Sequence, residues 1–301
     1  MVNRKSLPKV LLMLAGLVFF FANTVHIIET GNHEIQASIN PNFEFVYGDF
    51  TESGLGLNLK AAILVNYNDG KVLYARNEDM QRPIASLTKM VSAMVILDKN
   101  IDMNLSAKIT KEDAYRSSRS RLRVGYELTL RDLLVAALMN SDNRAMRALA
   151  RACSGSIEEF TVEMNRKVRM MGLRNTEFVE PTGLDRRNVS TAQEVAKIIH
   201  HAYKYPEIAG ITSDRARMVA VLNNNHRNLQ MANTNLLVLS PYDVLTGKTG
   251  YIRAADYCLG ALVENKAGEK LTAVVLGVPG DRLRFREIRK MIDWGYKQDY
   301  I

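Results

Sequence analysis

The chain of 301 residues is 47% hydrophobic and carries a formal net charge of +8, so it is long and apolar enough to bury one sizeable core. Its positive charges are spread out, and the one dense cluster, over residues 116–123, contains no aromatic residue and no nucleic-acid motif, so we predict no nucleic-acid partner. Only Cys153 and Cys258 are present and the histidines lack metal-ligand spacing, which argues against a disulfide scaffold and against a metal site.

The first residues differ in character from the rest of the chain. Arg4, Lys5 and Lys9 precede an unbroken apolar run over residues 10–22, which is the layout of a secretory signal. This run is shorter than the about 20 residues that a membrane-spanning helix needs. We therefore predict that residues 1–37 are a signal peptide, with an N-terminal membrane anchor as the alternative.

The segment that follows is polar and mixed, and it leads into the first regular structure. Residues 38–60 are predicted to be a tether, and residues 61–301 are predicted to form the main domain. Two short strand-like runs, 61–67 and 71–75, are joined by Asn68-Asp69-Gly70. This is a strong hairpin signal, because an Asp-Gly pair accepts positive φ angles.

Three helices are predicted after the hairpin, each from a pattern in the local sequence. Residues 86–97 are apolar on nearly every side, which predicts a helix in the middle of the protein. Thr129-x-x-Asp132 and Thr191-x-x-Glu194 are capping boxes that open two further helices. The remaining predicted elements are strands over 244–252, 257–264 and 271–278 and a helix over 281–296. This order predicts an α+β domain whose sheet uses both ends of the chain.

The first of three chemical motifs is Ser86-Leu87-Thr88-Lys89, an S-x-x-K at the start of the buried helix. A three-residue offset puts the Ser86 hydroxyl and the Lys89 amine on one helix face, within reach of each other. Serine needs a neighbouring base to become a nucleophile, and lysine is a base only when it is neutral. We therefore expect burial and nearby positive charge to lower the Lys89 pKa by several units from its usual ~10.4.

Two further motifs lie where side chains can enter a cleft. Ser141-Asp142-Asn143 follows the end of a helix, and Lys248-Thr249-Gly250 lies on a strand. Gly250 lacks the side chain that would block a substrate lying along that strand. Each motif alone is weak, since Ser6-Leu7-Pro8-Lys9 and Ser38-Ile39-Asn40 are chance matches near the N-terminus. The three together, on a buried helix, a loop and a strand, indicate one catalytic site.

These motifs in this order resemble the signature shared by penicillin-binding proteins and serine β-lactamases. Over roughly residues 60–298 the chain resembles the low-molecular-mass D-alanyl-D-alanine peptidases, which are serine DD-peptidases. Its Pro-Thr-Gly-Leu-Asp and Lys-Thr-Gly-Tyr-Ile runs, without a C-terminal β domain, are more similar to the endopeptidases than to the two-domain carboxypeptidases. The stretches that carry the resemblance are 84–89, 137–145, 181–184, 233–235 and 248–252. It implies a β-lactamase/DD-peptidase-like fold, an antiparallel sheet flanked by helices with a mostly helical lobe.

The resemblance also implies a mechanism that uses no metal and no cofactor. Lys89 is expected to take the proton of Ser86, whose oxygen attacks a D-Ala carbonyl in peptidoglycan to give an acyl-enzyme. Ser141 is expected to relay a proton to the departing amine, with Lys248 keeping that relay polarised. Asn143 is expected to hold the substrate peptide. The implied activity is cleavage of D-alanyl cross-links, removal of terminal D-Ala, or both.

The substrate side of the cleft and the location follow from the same resemblance. Lys248 and Thr249, with Gly250 beside them, are expected to bind the carboxylate on the leaving side. The backbone N–H groups of Ser86 and Tyr251 are expected to form the oxyanion hole. The implied partners are peptidoglycan peptide stems and β-lactams as covalent inhibitors. The implied location is the periplasm, either free or anchored to the inner membrane by the N-terminal segment.

Three alternatives stay open at this point. A serine β-lactamase needs a second base, and Arg174, Glu177 and Glu180 lie in the right region, although Pro181 stands where an Asn is expected. A non-catalytic β-lactam-sensing or wall-binding protein on the same fold would keep penicillin labelling without peptide cleavage. An unrelated exported protein with chance motifs is the third. For Asp142 the family assigns no chemistry, and a loop-capping role is the alternative.

Overall fold

The computed structural model describes residues 44–47, 54–117, 120–225 and 227–298, all within one structural unit, Phe43–Ile301. The predicted signal segment, 1–37, and the first part of the predicted tether lie outside the described residues. Among the helices of the described ranges, none has the length and hydrophobicity that crossing a bilayer requires.

The main sheet combines strands from both ends of the chain. The strands are β1 (Val46–Tyr47), β2 (Ala61–Asn66), β3 (Lys71–Arg76), β4 (Arg82–Pro83), β5 (Ser106–Lys108), β6 (Glu127–Thr129), β7 (Val189–Ser190), β8 (Ala216–Val221), β9 (Arg227–Ala232), β10 (Asp243–Ile252), β11 (Asp256–Glu264) and β12 (Lys270–Val278). The six-stranded sheet has the order β1-β3-β2-β12-β11-β10, while β4 pairs with β7, β5 with β6 and β8 with β9. Its pairs are antiparallel except for the two-residue β1, which runs parallel to β3. The predicted α+β class is confirmed.

The four predicted helices begin where the sequence signals place them, with one exception, and the helices over 143–154, 157–170 and 206–213 are additional to the prediction. They are α1 (Thr88–Asp98), α2 (Leu130–Met139), α3 (Asn143–Ser154), α4 (Ile157–Met170), α5 (Ala192–Tyr203), α6 (Pro206–Ser213) and α7 (Asp281–Gly295). Thr129 and Thr191 are N-caps as predicted, since their hydroxyls accept from the backbone N–H groups three residues on, at 3.0 and 3.1 Å. The carboxylates of the two predicted capping boxes bond elsewhere, Asp132 to the Ala220 N–H and Glu194 to Asn175. The exception is the predicted helix over 86–97, which opens with a 3₁₀ turn, Ala85–Leu87, because Ala85 has a φ of +48°.

Two apolar clusters cover the two faces of the six-stranded sheet. Neighbouring residues of β2 show the alternation, since Ile63 belongs to one cluster and Leu64 to the other. The first cluster contains α2, α5 and α1, which is buried from Thr88 to Ile96 as its all-round apolar pattern predicts. The second contains the inner side of α7. The helical lobe and α7 therefore lie on opposite faces of the sheet.

The last part of the predicted tether packs against the domain. Leu55, Leu57 and Leu59 are buried in the α7 cluster, at every second position of an extended segment. Further towards the N-terminus, Val46 and Tyr47 pair with β3. The alternating leucines are the sequence signal for this packing, although the polar and mixed composition of residues 38–60 suggested a loose chain.

Both cysteines are free thiols, with Cys258 buried and Cys153 half-buried. Burial raises the pKa of each thiol to about 11, so both are protonated and unreactive at neutral pH. In the described part of the chain, no group of three or more His, Cys, Asp or Glu side chains is arranged to hold a metal ion.

Candidate active site

The S-x-x-K motif spans the junction between the 3₁₀ turn and α1. Ser86 lies in the turn and Lys89 in the first turn of α1, so the two side chains share one face. Lys89 Nζ is 3.0 Å from Ser86 Oγ, which is the contact that the three-residue spacing predicts. The nucleophile candidate is half-buried and the lysine is fully buried.

The Lys89 amine also contacts two oxygens from distant parts of the chain. It donates to Asn143 Oδ1 at 2.6 Å and to the backbone oxygen of Thr182 at 2.7 Å. Asn143 belongs to the second motif, so this one amine joins the first two motifs in space. The sequence did not predict the contact between Lys89 and Asn143, because the motif assigns Asn143 only to substrate binding.

Burial controls the protonation of Lys89. Burial lowers the Lys89 pKa to about 7. The carboxylates of Glu180 and Asp142 have the opposite, smaller effect, because they stabilise the charged amine. The sequence also predicts that nearby positive charge lowers the Lys89 pKa. Arg147 supplies that charge, and its effect is smaller than that of burial. A lysine with this pKa is neutral in about half of the molecules at pH 7, which suits a general base.

The second motif sits at the start of α3. Ser141 has a φ of +57°, which turns the chain sharply between α2 and α3. Asp142 caps α3, since its carboxylate accepts from the N–H groups of Arg144 and Ala145 at 2.9 and 3.1 Å. Ser120 also donates to it at 2.5 Å. Asp142 thus has the loop-capping role, and it places Ser141 and Asn143 on either side.

The third motif lies on β10 and faces the first. Lys248 is buried and its pKa is lowered, first by burial and then by the nearby charge of Lys89. The Thr249 hydroxyl lies 2.6 Å from that of Thr234, whose N–H donates to the backbone oxygen of Met139 at 3.1 Å. This chain of contacts links β10 to the end of α2, just before Ser141.

Gly250 packs directly against the turn that carries the nucleophile. A Cβ at this position would lie 2.9 Å from the Ile84 oxygen and 3.0 Å from the Ser86 nitrogen. The sequence-based reason for this glycine, room for a substrate, therefore differs from what the structure shows. On its other side the buried Arg284 donates to the Gly250 oxygen at 3.1 Å, which holds the peptide group whose N–H belongs to Tyr251.

Comparison with known proteins agrees with this geometry. Residues 49–280 match the protein family described as D-alanyl-D-alanine carboxypeptidase. The chain is 35% identical over 239 residues to the D-alanyl-D-alanine endopeptidase of Escherichia coli (strain K12), covering 78% of this chain and 76% of that protein. The chain belongs to the D-alanyl-D-alanine carboxypeptidase family. It is a serine-type hydrolase of D-Ala-D-Ala peptides, in a family that acts on peptidoglycan and is sensitive to β-lactams.

Two solved structures show the same fold. Penicillin binding protein 5 from Haemophilus influenzae matches with a TM-score of 0.73 at 29% identity, over 83% of this chain and 73% of that one. The Streptomyces K15 DD-transpeptidase matches with a TM-score of 0.76 at 24% identity, over 83% of this chain and 100% of that one. The second likeness concerns the fold alone. The antiparallel sheet with flanking helices, which the sequence resemblance implies, is therefore confirmed.

The structure gives two residues beside the active site roles that the sequence analysis did not assign to them. Glu180 accepts hydrogen bonds from the Thr182 N–H at 2.9 Å, the Gly183 N–H at 2.5 Å and the Asn188 amide at 3.1 Å. This carboxylate shapes the loop that presents the Thr182 oxygen to Lys89. Its engagement within the loop contrasts with the free second base that the β-lactamase alternative requires.

Gly183, in the same loop, is the other. It has a φ of +83°, and an added Cβ would lie 1.9 Å from the Ala85 oxygen and 2.9 Å from the Ser86 nitrogen. The peptidase therefore packs two glycines, Gly183 and Gly250, against the backbone of its nucleophile turn. The available signal was the Pro-Thr-Gly run, which marks a tight turn without revealing what it packs on.

Proposed function

We propose that Ser86 is the nucleophile and Lys89 its general base in a peptidase that cleaves D-alanyl cross-links in peptidoglycan. The observation that carries this proposal is the buried Lys89 amine, 3.0 Å from Ser86 Oγ with a pKa of about 7. A neutral amine has two N–H groups and one lone pair. The Asn143 and Thr182 oxygens only accept, so they take both N–H groups and leave the lone pair for the Ser86 proton.

Acylation uses the loop and strand that flank the nucleophile. A bond forms between Ser86 Oγ and the D-Ala carbonyl carbon as the hydroxyl proton passes to Lys89, and the N–H groups of Ser86 and Tyr251 stabilise the oxyanion. When the carbon–nitrogen bond breaks, Ser141 hands its proton to the departing amine and takes up the proton that Lys89 accepted from Ser86, so that Lys89 is again neutral. Water then hydrolyses the ester and restores Ser86. A β-lactam follows the first half of this path, since its opened ring remains attached to the enzyme.

Substrate binding falls to Asn143 and to the β10 motif. Lys248 and Thr249, with Gly250 beside them, are positioned for the carboxylate on the leaving side. Burial lowers the Lys248 pKa in the free protein, and an anionic substrate would favour its charged form. A bound carboxylate would therefore raise the Lys248 pKa from its lowered value.

The preference for cross-links is supported by the relatives named as endopeptidases. Those of Escherichia coli and Pseudomonas aeruginosa are each 35% identical to this chain and are covered over 76% of their length. A carboxypeptidase of Bacillus subtilis, DacF, is 34% identical and is covered over 64% of its length. We therefore assign cross-link cleavage as the main activity and removal of terminal D-Ala as the lesser one.

The test compares two muropeptide substrates with the protein starting after residue 37. We expect kcat/KM for a D-Ala-cross-linked dimer to exceed that for D-Ala release from an uncross-linked pentapeptide, each read by chromatography. Faster release of D-Ala from the pentapeptide would make the enzyme a carboxypeptidase. Labelling by fluorescent penicillin without cleavage of either substrate would instead identify a β-lactam sensor.

Acylation by benzylpenicillin should depend on pH through Lys89. Because the neutral amine is the base and its pKa is about 7, the second-order acylation rate should fall about tenfold per pH unit below pH 6 and level off above pH 8. His200 and His201 do not explain such a limb, since burial lowers their pKa values to about 4 and about 3. Stopped-flow labelling gives the rate, and thermal unfolding at each pH checks the fold. A flat profile from pH 5 to pH 8 would exclude Lys89 as the base.

The proposed domain arrangement places export before the catalytic unit. Residues 1–37 serve as a signal peptide or as an anchor to the inner membrane, and the enzyme works in the periplasm. The catalytic domain covers 61–301, and the leucines of the preceding segment pack against it. Mass spectrometry of the N-terminus of the exported protein distinguishes cleavage after Ala37 from retention.

A further inference from the structure

A second concave site lies on the far side of the sheet from the catalytic residues. It is a cavity of about 680 Å³ between α7, the segment around Leu55 and the loop before β10. Its apolar lining comes from Leu55, Pro241, Tyr242 and Trp294, of which the two aromatic residues are half-buried. A cavity of this size, with an apolar and aromatic lining, is within the usual range of ligand sites.

The rim of this cavity is strongly basic. Arg289, Lys290 and Lys297 line it and are exposed. Arg286 also lines it and is paired at 3.1 Å with the buried Glu287. The one carboxylate among the lining residues belongs to Asp293, which accepts a hydrogen bond from the Tyr242 hydroxyl. The excess of cations around half-buried aromatic rings favours an anionic ligand with an apolar or sugar face.

The cavity is independent of the catalytic crevice. The Ser86 turn and α1 belong to the apolar cluster on one face of the six-stranded sheet, whereas α7 belongs to the cluster on the other. A ligand bound beside Trp294 therefore leaves the site at Ser86 open.

We propose that this cavity is a second binding site for peptidoglycan, which takes the carboxylate-bearing stem peptides and aminosugars of an uncleaved strand. Stem carboxylates match the basic rim, and sugar faces match the rings of Tyr242 and Trp294. The identity of this occupant rests on the proposed function. Holding one strand at the cavity raises the effective concentration of cross-links at Ser86.

The chain contains a single tryptophan, Trp294, so its fluorescence reports directly on the cavity. The Ser86→Ala variant of the full mature protein would be titrated with soluble, uncross-linked glycan chains carrying stem peptides. We expect a saturable change in Trp294 emission. Reversing two rim charges, in Arg289→Glu with Lys290→Glu, should weaken binding about tenfold or more. The neutral pair of changes to Gln should weaken it less.

A matched control reverses the same number of charges elsewhere. Arg166 and Arg169 are exposed on α4, which belongs to the helical lobe, and their change to Glu should leave glycan binding unaltered. In a background with Ser86 restored, the rim variant should digest insoluble sacculi several-fold more slowly than the control variant. Both should be labelled by benzylpenicillin at the wild-type rate, and thermal unfolding should show both folded.

Three results would overturn the second site. One is an emission that does not change with glycan, and another is an equal loss of binding in the α4 control. The third is binding to phosphatidylglycerol vesicles, but not to glycan, that the rim reversal abolishes, because the ligand would then be a lipid surface. Failure of the proposed function would look different, since the wild-type protein would then leave soluble cross-linked muropeptides uncut, whether or not benzylpenicillin labels it.

Discussion

Replacing Ser86 by Ala should remove both peptide cleavage and covalent labelling by penicillin. The Lys89 amine is 3.0 Å from Ser86 Oγ, and without this oxygen no acyl-enzyme forms. Loss of a covalent nucleophile lowers kcat by about 10⁴- to 10⁶-fold in serine peptidases. Fluorescent-penicillin gels and chromatography of digested cross-linked muropeptides measure the two activities.

The matched control is Ser92→Ala, a second serine of the same buried segment. Its hydroxyl donates to the Pro181 oxygen at 2.8 Å, so the substitution removes a buried hydrogen bond at a cost of about 1 kcal/mol. It should lower the melting temperature slightly and leave labelling intact. Labelling or cleavage that survives in Ser86→Ala would move the nucleophile elsewhere.

Replacing Gly183 by Ala should inactivate the enzyme without touching any group that reacts. The new Cβ would meet the Ala85 oxygen at 1.9 Å, so either the loop or the nucleophile turn has to move. A displacement of about 1 Å at a reacting atom costs about 100-fold in rate, and forced overpacking costs about 3 kcal/mol of stability. We expect losses of that size in the acylation rate and in the free energy of unfolding.

The control variant Gly268→Ala distinguishes the steric clash at Gly183 from the strain of a positive φ angle. Gly268 has the same φ of +83°, and a Cβ there would meet nothing within 4 Å. Its substitution should cost only the about 1–2 kcal/mol of a left-handed non-glycine residue and leave acylation unchanged. Equal acylation rates in the two variants would show that Gly183 is needed only for its positive φ angle and not for close packing against Ala85.

The two halves of the site differ in how far the sequence predicts them. Ser86 and Lys89 meet because a three-residue offset on a helix brings side chains together, whatever the rest of the fold does. The low pKa of Lys89 has another origin, since burial within a core built from distant segments causes it. Asn143, assigned to the substrate from its motif, also accepts from Lys89, and no local pattern contains that contact.

Gly250 and the three leucines before β2 also show which features the sequence predicts and which it does not. Gly250 was explained by room for a substrate, whereas the structure packs it against the Ser86 turn. Leu55, Leu57 and Leu59 were assigned to a tether and are buried beside α7. In both cases the local sequence shows that the residue type matters. The segment against which the residue packs lies far away along the chain.

The amino-acid sequence by itself determined the two threonine N-caps, the first hairpin, the buried α1 and the order of the three motifs, because each depends on side chains a few residues apart. Only the tertiary structure decided which segments enclose the Ser86 turn, how Glu180 presents the Thr182 oxygen to Lys89, and where Trp294 and the α7 cations form a cavity. These features depend on contacts between residues as far apart as Lys89 and Thr182, 93 positions along the chain. Such contacts are selected by the packing of whole elements, which no local periodicity specifies.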